Sequence, residues 1–190
     1  MPEILLVRHG RPVCDSASRI RGCDFARWVN AYECASLDVK SQPTVGLLAQ
    51  VATIHCLVTS TMRRAVESAA VLAPGRTPLI NPLFNEAGIP TTIRTRLALA
   101  PGHWDVIARG AWFIGWSPGV ESFQEARRRA ARAADRLSDL AAEHDSVMLV
   151  GHGMLNTLIA RALRRNGWTG RGHPRAYWGG VSLSKVVEAC

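Results

Sequence analysis

Three short apolar runs, Ile4 to Val7, Cys56 to Thr59 and Val147 to Val150, stand out along the chain, each followed by a stretch with helical spacing. A strand buried on both faces carries apolar residues at successive positions rather than alternate ones, which predicts three buried parallel strands. Between the first two, Val45, Leu48, Ala49 and Ala52 fall on one side of a predicted helix over about 42–53, with Pro43 near its first turn. A second helix is predicted over 61–73, stopping before Pro74-Gly75. In the longest, "ESFQEARRRAARAADRLSDLAAEH", residues Ala126, Ala130, Ala133, Leu137, Leu140 and Ala141 form a narrow apolar stripe. A last helix from Met154 to Arg165 ends at Gly167, and Val181 to Val187 is a candidate final strand. Alternating strands and helices predict a single α/β domain, a three-layer sandwich with a mostly parallel central sheet and helices on both faces. Residues 76–118, rich in Pro, Gly, Thr and Trp, read as a loop-rich insertion that recognises substrate or acts as a lid over the strand ends. Trp104, Trp112 and Trp116 within it fit a helix packing on the domain better than an aromatic ligand platform.

Composition narrows this picture. The 190 residues suit one domain, and 47% apolar with 20% charged residues is ordinary for a globular protein. No stretch reaches the roughly 18 uninterrupted apolar residues of a membrane span. The N-terminus has no basic start followed by a long apolar region, so a cytoplasmic location is the default. Cys14, Cys23, Cys34, Cys56 and Cys190 are odd in number and lack C-x-x-C spacing, which predicts reduced thiols rather than a disulfide framework or a zinc ribbon. The net charge of +8 is nearly all arginine, since Lys40 and Lys185 are the only lysines. Such an excess attracts anions of any kind. Arg127, Arg128, Arg129, Arg132 and Arg136 could track nucleic acid, but Glu121, Glu125, Asp135 and Asp139 are interspersed, which favours a solvated face. Sign alone does not choose among nucleic acid, acidic lipid and phosphorylated metabolites; with the site chemistry below, a small phosphorylated substrate is the expected partner, with neither nucleic acid nor membrane.

The chemistry lies where the strands end. "LLVRHGRP" and "MLVGHGML" each deliver a histidine next to glycine at the end of an apolar strand. In a parallel sheet those carboxyl ends share one edge, where ligands bind, so His9 and His152 can meet. "TSTMRRAVESA" places Arg63 and Arg64 in the first turn of a helix at the same edge. A neutral, oriented imidazole can attack phosphorus, and guanidinium forks neutralise the oxygens of a phosphoryl group. A departing alkoxide needs a proton, and Glu86 in "NPLFNEAGIP" is the only acidic residue between Glu67 and Asp105. His55, His103, His144 and His173 have no matching context and read as structural or exposed. "GHGMLN" lacks the third glycine of a dinucleotide-binding turn.

Taken together, "LVRHGRP", "TSTMRRAVESA", the acidic residue in "LFNEAGIP", "SPGVESFQEARRRA" and "LVGHGM" resemble the histidine phosphatase superfamily, also called the phosphoglycerate mutase-like family, in the family's order over most of the chain. The resemblance implies that His9 is the nucleophile that becomes phosphohistidine, and that Arg8, Arg64 and His152 bind the transferred phosphoryl group. Arg64 is preferred to Arg63 because it directly precedes the alanine. Glu86 would be the proton donor and then the base for water, and no metal or organic cofactor is implied. Two departures fall where substrate is selected: Arg11-Pro12 follow the RHG motif, with Asp15 the nearest match to a family asparagine, and "CDFARWVNAYECASL" replaces a family stretch. Arg11, Asp15 and Arg21 are the candidate substrate contacts. The expected activity is phosphomonoester hydrolysis of a small anionic metabolite. The alternatives are a phosphoglycerate mutase-like phosphotransferase and a non-catalytic phosphate-binding regulatory module.

Overall fold

The computed structural model describes residues 1–185, so Cys190 and the end of the expected final strand lie outside the described residues. The elements run β1 (Glu3–Arg8), β2 (Ile20–Arg21), α1 (Phe25–Cys34), α2 (Val45–Val51), β3 (Cys56–Thr59), α3 (Arg63–Leu72) and β4 (Leu79–Ile80). They continue with β5 (Ala98–Leu99), α4 (Pro101–Phe113), α5 (Phe123–His144), β6 (Ser146–Gly151), α6 (Gly153–Arg165), β7 (Thr169–Gly172) and β8 (Gly180–Ser184). Six strands form one sheet in the order β4-β3-β6-β1-β8-β7, and β2 pairs with β5 apart from it. The three strands read from the sequence are the adjacent parallel strands β3, β6 and β1, while β8 and β7 add antiparallel pairs at one side. This is the α/β fold expected, a mostly parallel central sheet between helical layers.

Alternation along the central strands divides the core in two. Ile4 and Leu6 of β1 pack with the α5 and α6 side chains, whereas Leu5 and Val7 face α2 and α3. The predicted stripe of α5 is fully buried, and its small alanines let the helix lie close against the sheet. Ser122 caps α5 by accepting from the Glu125 N–H, and the Glu125 carboxylate accepts from the Ser122 N–H, a reciprocal capping box. The α6 helix closes at Asn166 with Gly167 at φ +86°, the left-handed geometry that favours glycine.

One expectation needs correction. The Thr44 side chain accepts from the Leu47 N–H, so α2 starts at Val45 and buries Leu47 and Val51, leaving Val45, Leu48, Ala49 and Ala52 exposed. The 76–118 segment is not loop throughout: α4 buries Trp104 and Trp112, while Trp116 stays exposed. Trp104 and Ala108 of α4 form a small separate core with Phe25 and Val29 of α1 and with Ile89. No helix among the described residues is long and apolar enough to cross a membrane.

Candidate active site

Strand register brings the two histidines together. In the parallel pair β1/β6, Arg8 lies opposite Gly151, so the next residues, His9 and His152, leave the sheet side by side. Their ring centroids are 5.1 Å apart. On the other flank of β6, Thr59 pairs with Val150, and the chain after β3 delivers Ser60 to His152 and Arg64 to His9. His9, Arg64 and His152 are all at most 1% exposed.

Hydrogen bonds fix which nitrogens carry protons. His9 Nδ1–H donates to the Gly10 carbonyl at 2.7 Å, so Nε2 carries the lone pair, and it accepts from Arg64 Nε at 3.1 Å. Ser60 Oγ accepts from the Met62 N–H at 3.2 Å and donates its own proton to His152 Nε2 at 2.8 Å. That leaves the proton of His152 on Nδ1, a buried donor with no partner among the described residues; Arg8 Nε is another. Burial first, then neighbouring charge, hold both imidazoles well below the usual histidine range: on His9 the penalty of two adjacent imidazolium rings and the Arg64 cation act, and on His152 Arg64 and Arg8. Both rings are thus neutral at neutral pH.

The guanidiniums are the unusual part. Arg64 NH1 donates to the carbonyl of Glu33 at 3.1 Å, and its plane lies over the Tyr32 ring at 4.9 Å. Arg8 lies over the Tyr177 ring at 4.3 Å and donates to the Arg175 carbonyl. Among the described residues neither forms an ion pair with a carboxylate. Burying a cation without a carboxylate is costly unless an anion completes the site. Burial accordingly lowers Arg64 from its ordinary value.

A cavity of about 850 Å³ opens beside this cluster, lined by Arg8, Arg64, Glu86, Tyr32, Tyr177 and the first turn of α6, together with Arg11, Lys40, Asp105 and Arg109. Of the residues singled out in the sequence, His9, His152, Arg8, Arg64 and Glu86 converge, and Arg11 reaches the cavity wall. Asp15 and Arg21 do not line it: the Asp15 carboxylate accepts from the N–H groups of Ala17 and Ser18, and Arg21 is exposed on β2. Arg63 points outward to Glu67 at 2.6 Å, which leaves Arg64 as the arginine of the site. Ser60, Tyr32, Tyr177 and Asp105 escaped sequence reading; of these only Ser60 carries a local signal, its place directly after a buried strand.

Gly10 shows how tightly the nucleophile's turn is packed. A methyl built there comes within 2.6 Å of Leu37 Cδ1 and closer still to the Trp178 indole. Gly10→Ala is expected to destabilise the fold by about 1–3 kcal/mol, read as a lower urea midpoint at unchanged slope.

The sequence profile of the histidine phosphatase superfamily (branch 1) matches residues 42–186, leaving Arg8-His9-Gly10 outside the matched range. A search of curated proteins gives no match. Among solved structures, a mycobacterial glucosyl-3-phosphoglycerate phosphatase in complex with VO3 is 20% identical, covers 97% of this chain and 93% of its own, and has a TM-score of 0.60. The protein TTHB049 from Thermus thermophilus is 18% identical, covers 95% of this chain and 92% of its own, and has a TM-score of 0.60. An Escherichia coli K-12 protein provisionally assigned as an alpha-ribazole-5'-P phosphatase is 19% identical over 84% of this chain and 78% of its own, with a TM-score of 0.56.

Proposed function

Because the chain belongs to the histidine phosphatase superfamily (branch 1), we propose that it hydrolyses small anionic phosphomonoesters through a phosphohistidine formed at His9. A buried Arg64 and a half-buried Arg8 whose Nε is buried and unpartnered, neither ion-paired to a carboxylate among the described residues, beside two imidazoles kept neutral, carry this reading: the cluster is complementary to a doubly charged phosphoryl group. His9 Nε2, its proton held away on Nδ1 by the Gly10 carbonyl, attacks phosphorus. Arg8, Arg64 and the free Nδ1–H of His152 donate to the phosphoryl oxygens, where charge builds in the transition state. The N-terminus of α6, which begins directly after His152, adds a favourable dipole. A carboxyl group on the cavity wall, for which Glu86 was the expectation, supplies the proton to the leaving oxygen. The phosphatases among proteins of the same fold agree with hydrolysis rather than transfer.

The test is a panel of phosphomonoesters that includes phosphoglycerates, with alkaline denaturing quenching to trap protein-bound phosphate. Release of inorganic phosphate, with acid-labile and alkali-stable label mapping to His9, is the expected result. Interconversion of phosphoglycerates without release would select the mutase-like alternative, and tight binding without turnover the non-catalytic one.

A further inference from the structure

The two arginines of the phosphate cluster are held in the same way by different parts of the chain. The Arg64 guanidinium lies 4.9 Å from the centre of the Tyr32 ring, and one of its terminal nitrogens donates to the carbonyl of the next residue, Glu33, at 3.1 Å. The Arg8 guanidinium lies 4.3 Å from the centre of the Tyr177 ring, and one of its terminal nitrogens donates to the Arg175 carbonyl. In each case an aromatic face meets the cation, and a backbone carbonyl from the same short segment takes one nitrogen. Both tyrosines line the cavity.

Tyr32 is itself backed by other rings. Phe25, Trp28 and Tyr32 recur at i, i+3 and i+7 along α1, so they share one face of the helix. Phe25 and Trp28 are 6.2 Å apart and 9° from parallel; Trp28 and Tyr32 are 5.3 Å apart and 17° from parallel. Phe25 is fully buried in the small core shared with α4. Tyr32 in turn bears the Arg64 guanidinium, whose Nε donates to His9 at 3.1 Å. The other terminal nitrogen of Arg64 has the Met62 sulfur, a weak acceptor, at 3.5 Å, and Arg8 Nε is buried without a partner among the described residues. These nitrogens are the ones left for phosphoryl oxygens.

A carboxylate would orient a guanidinium equally well, but it would cancel the charge that the phosphoryl group needs. A ring face attracts the cation through its quadrupole and a carbonyl through its dipole, and neither carries net charge. Burial first, then the neighbouring Tyr177, push the Tyr32 phenol above its ordinary range, so at neutral pH it offers a neutral ring and not a phenolate.

We infer that Tyr32 and Tyr177 are positioning residues, which aim the guanidiniums of Arg64 and Arg8 at the phosphoryl group and leave their charge intact. The inference rests on the phosphate-site reading above. A double-variant cycle tests it, measured on kcat/KM for p-nitrophenyl phosphate and on the Kd of inorganic phosphate. Tyr32→Leu is expected to lower kcat/KM by about 5–30-fold and to weaken phosphate binding by a smaller factor. In an Arg64→Met background the same change should cost less than about two-fold, because the ring has no cation left to aim. Tyr177→Leu should behave likewise toward Arg8→Met. Tyr32→Phe, which keeps the ring face, should recover activity to within about three-fold of the wild type.

Phenylalanine and a trifluorinated phenylalanine at position 32 have nearly the same shape, but fluorine withdraws negative charge from the ring face. The fluorinated form should lose a further factor of about three to ten, a contrast that serves even if the leucine variant does not fold. Equal losses for Tyr32→Leu in both backgrounds, or equal activity and phosphate affinity of the two ring forms, would overturn the inference. A wild type that binds phosphate but hydrolyses no ester would remove the phosphatase reading instead, and the cycle on Kd would still decide the role of the tyrosines.

Discussion

Replacing His9 by alanine is expected to lower turnover of every phosphomonoester by roughly 10⁴-fold or more, with no trapped phosphoprotein remaining. The size follows from the geometry. His9 Nε2 is the nitrogen whose lone pair is free of its own proton, because Nδ1–H is spent on the Gly10 carbonyl at 2.7 Å. His152 is held differently: its Nε2 faces Ser60 at 2.8 Å, and its Nδ1, unpartnered among the described residues, carries the proton and can only donate. Without His9 the cluster still binds an anion but has nothing with which to open the ester, so affinity for inorganic phosphate should survive while steady-state phosphate release does not. The His9 ring is 1% exposed, and its removal leaves a space. His9→Asn, which refills part of that volume, should be as inactive as His9→Ala and melt closer to the wild type. A variant retaining turnover within ten-fold would eliminate His9 as nucleophile.

What could be read beforehand has a physical pattern. The β1, β3 and β6 strands were legible because each is buried on both faces and so carries an unbroken apolar run. The α5 stripe was legible because a long helix on a core repeats its period many times. The meeting of His9 with His152 followed from parallel strands sharing one edge, a rule of topology that needs no side-chain detail. By contrast, α1 buries only Phe25 and Val29, against Trp104 and Ile89 far along the chain, so little of its period is recorded locally. The β7 strand, "TGRG", is exposed at every residue and exists through its pairing with β8. Tyr32, Tyr177 and Asp105 come to the cavity from a helix, a turn and a second helix; no spacing joins them. Arg21 and Asp15, expected as substrate contacts, do not line this cavity: Arg21 is exposed on β2, and the Asp15 carboxylate accepts from N–H groups of its own turn.

Arg64→Met is expected to lower kcat/KM by about 10²–10³-fold while melting no lower than the wild type in phosphate-free buffer. Stability and activity part company here because this guanidinium is 1% exposed and, among the described residues, has no carboxylate beside it. The free protein bears the cost of holding that charge out of water; an apolar side chain of similar length removes the cost and with it the donors for the phosphoryl oxygens. Lysine should restore little, since a point charge cannot keep Nε on His9, NH1 on the Glu33 carbonyl and a flat face on the Tyr32 ring at once. Arg63→Met serves as the internal contrast: its side chain is 65% exposed and paired with Glu67, so its kinetic effect should stay within about three-fold. Thermal shifts supply the decisive reading. Inorganic phosphate at about 100 times its Kd should stabilise the wild type by about 2.7 kcal/mol, and the same concentration should shift Arg64→Met far less. Equal phosphate-induced shifts in both proteins would mean that the anion is held elsewhere, and that Arg64 is buried for a reason unconnected with phosphate.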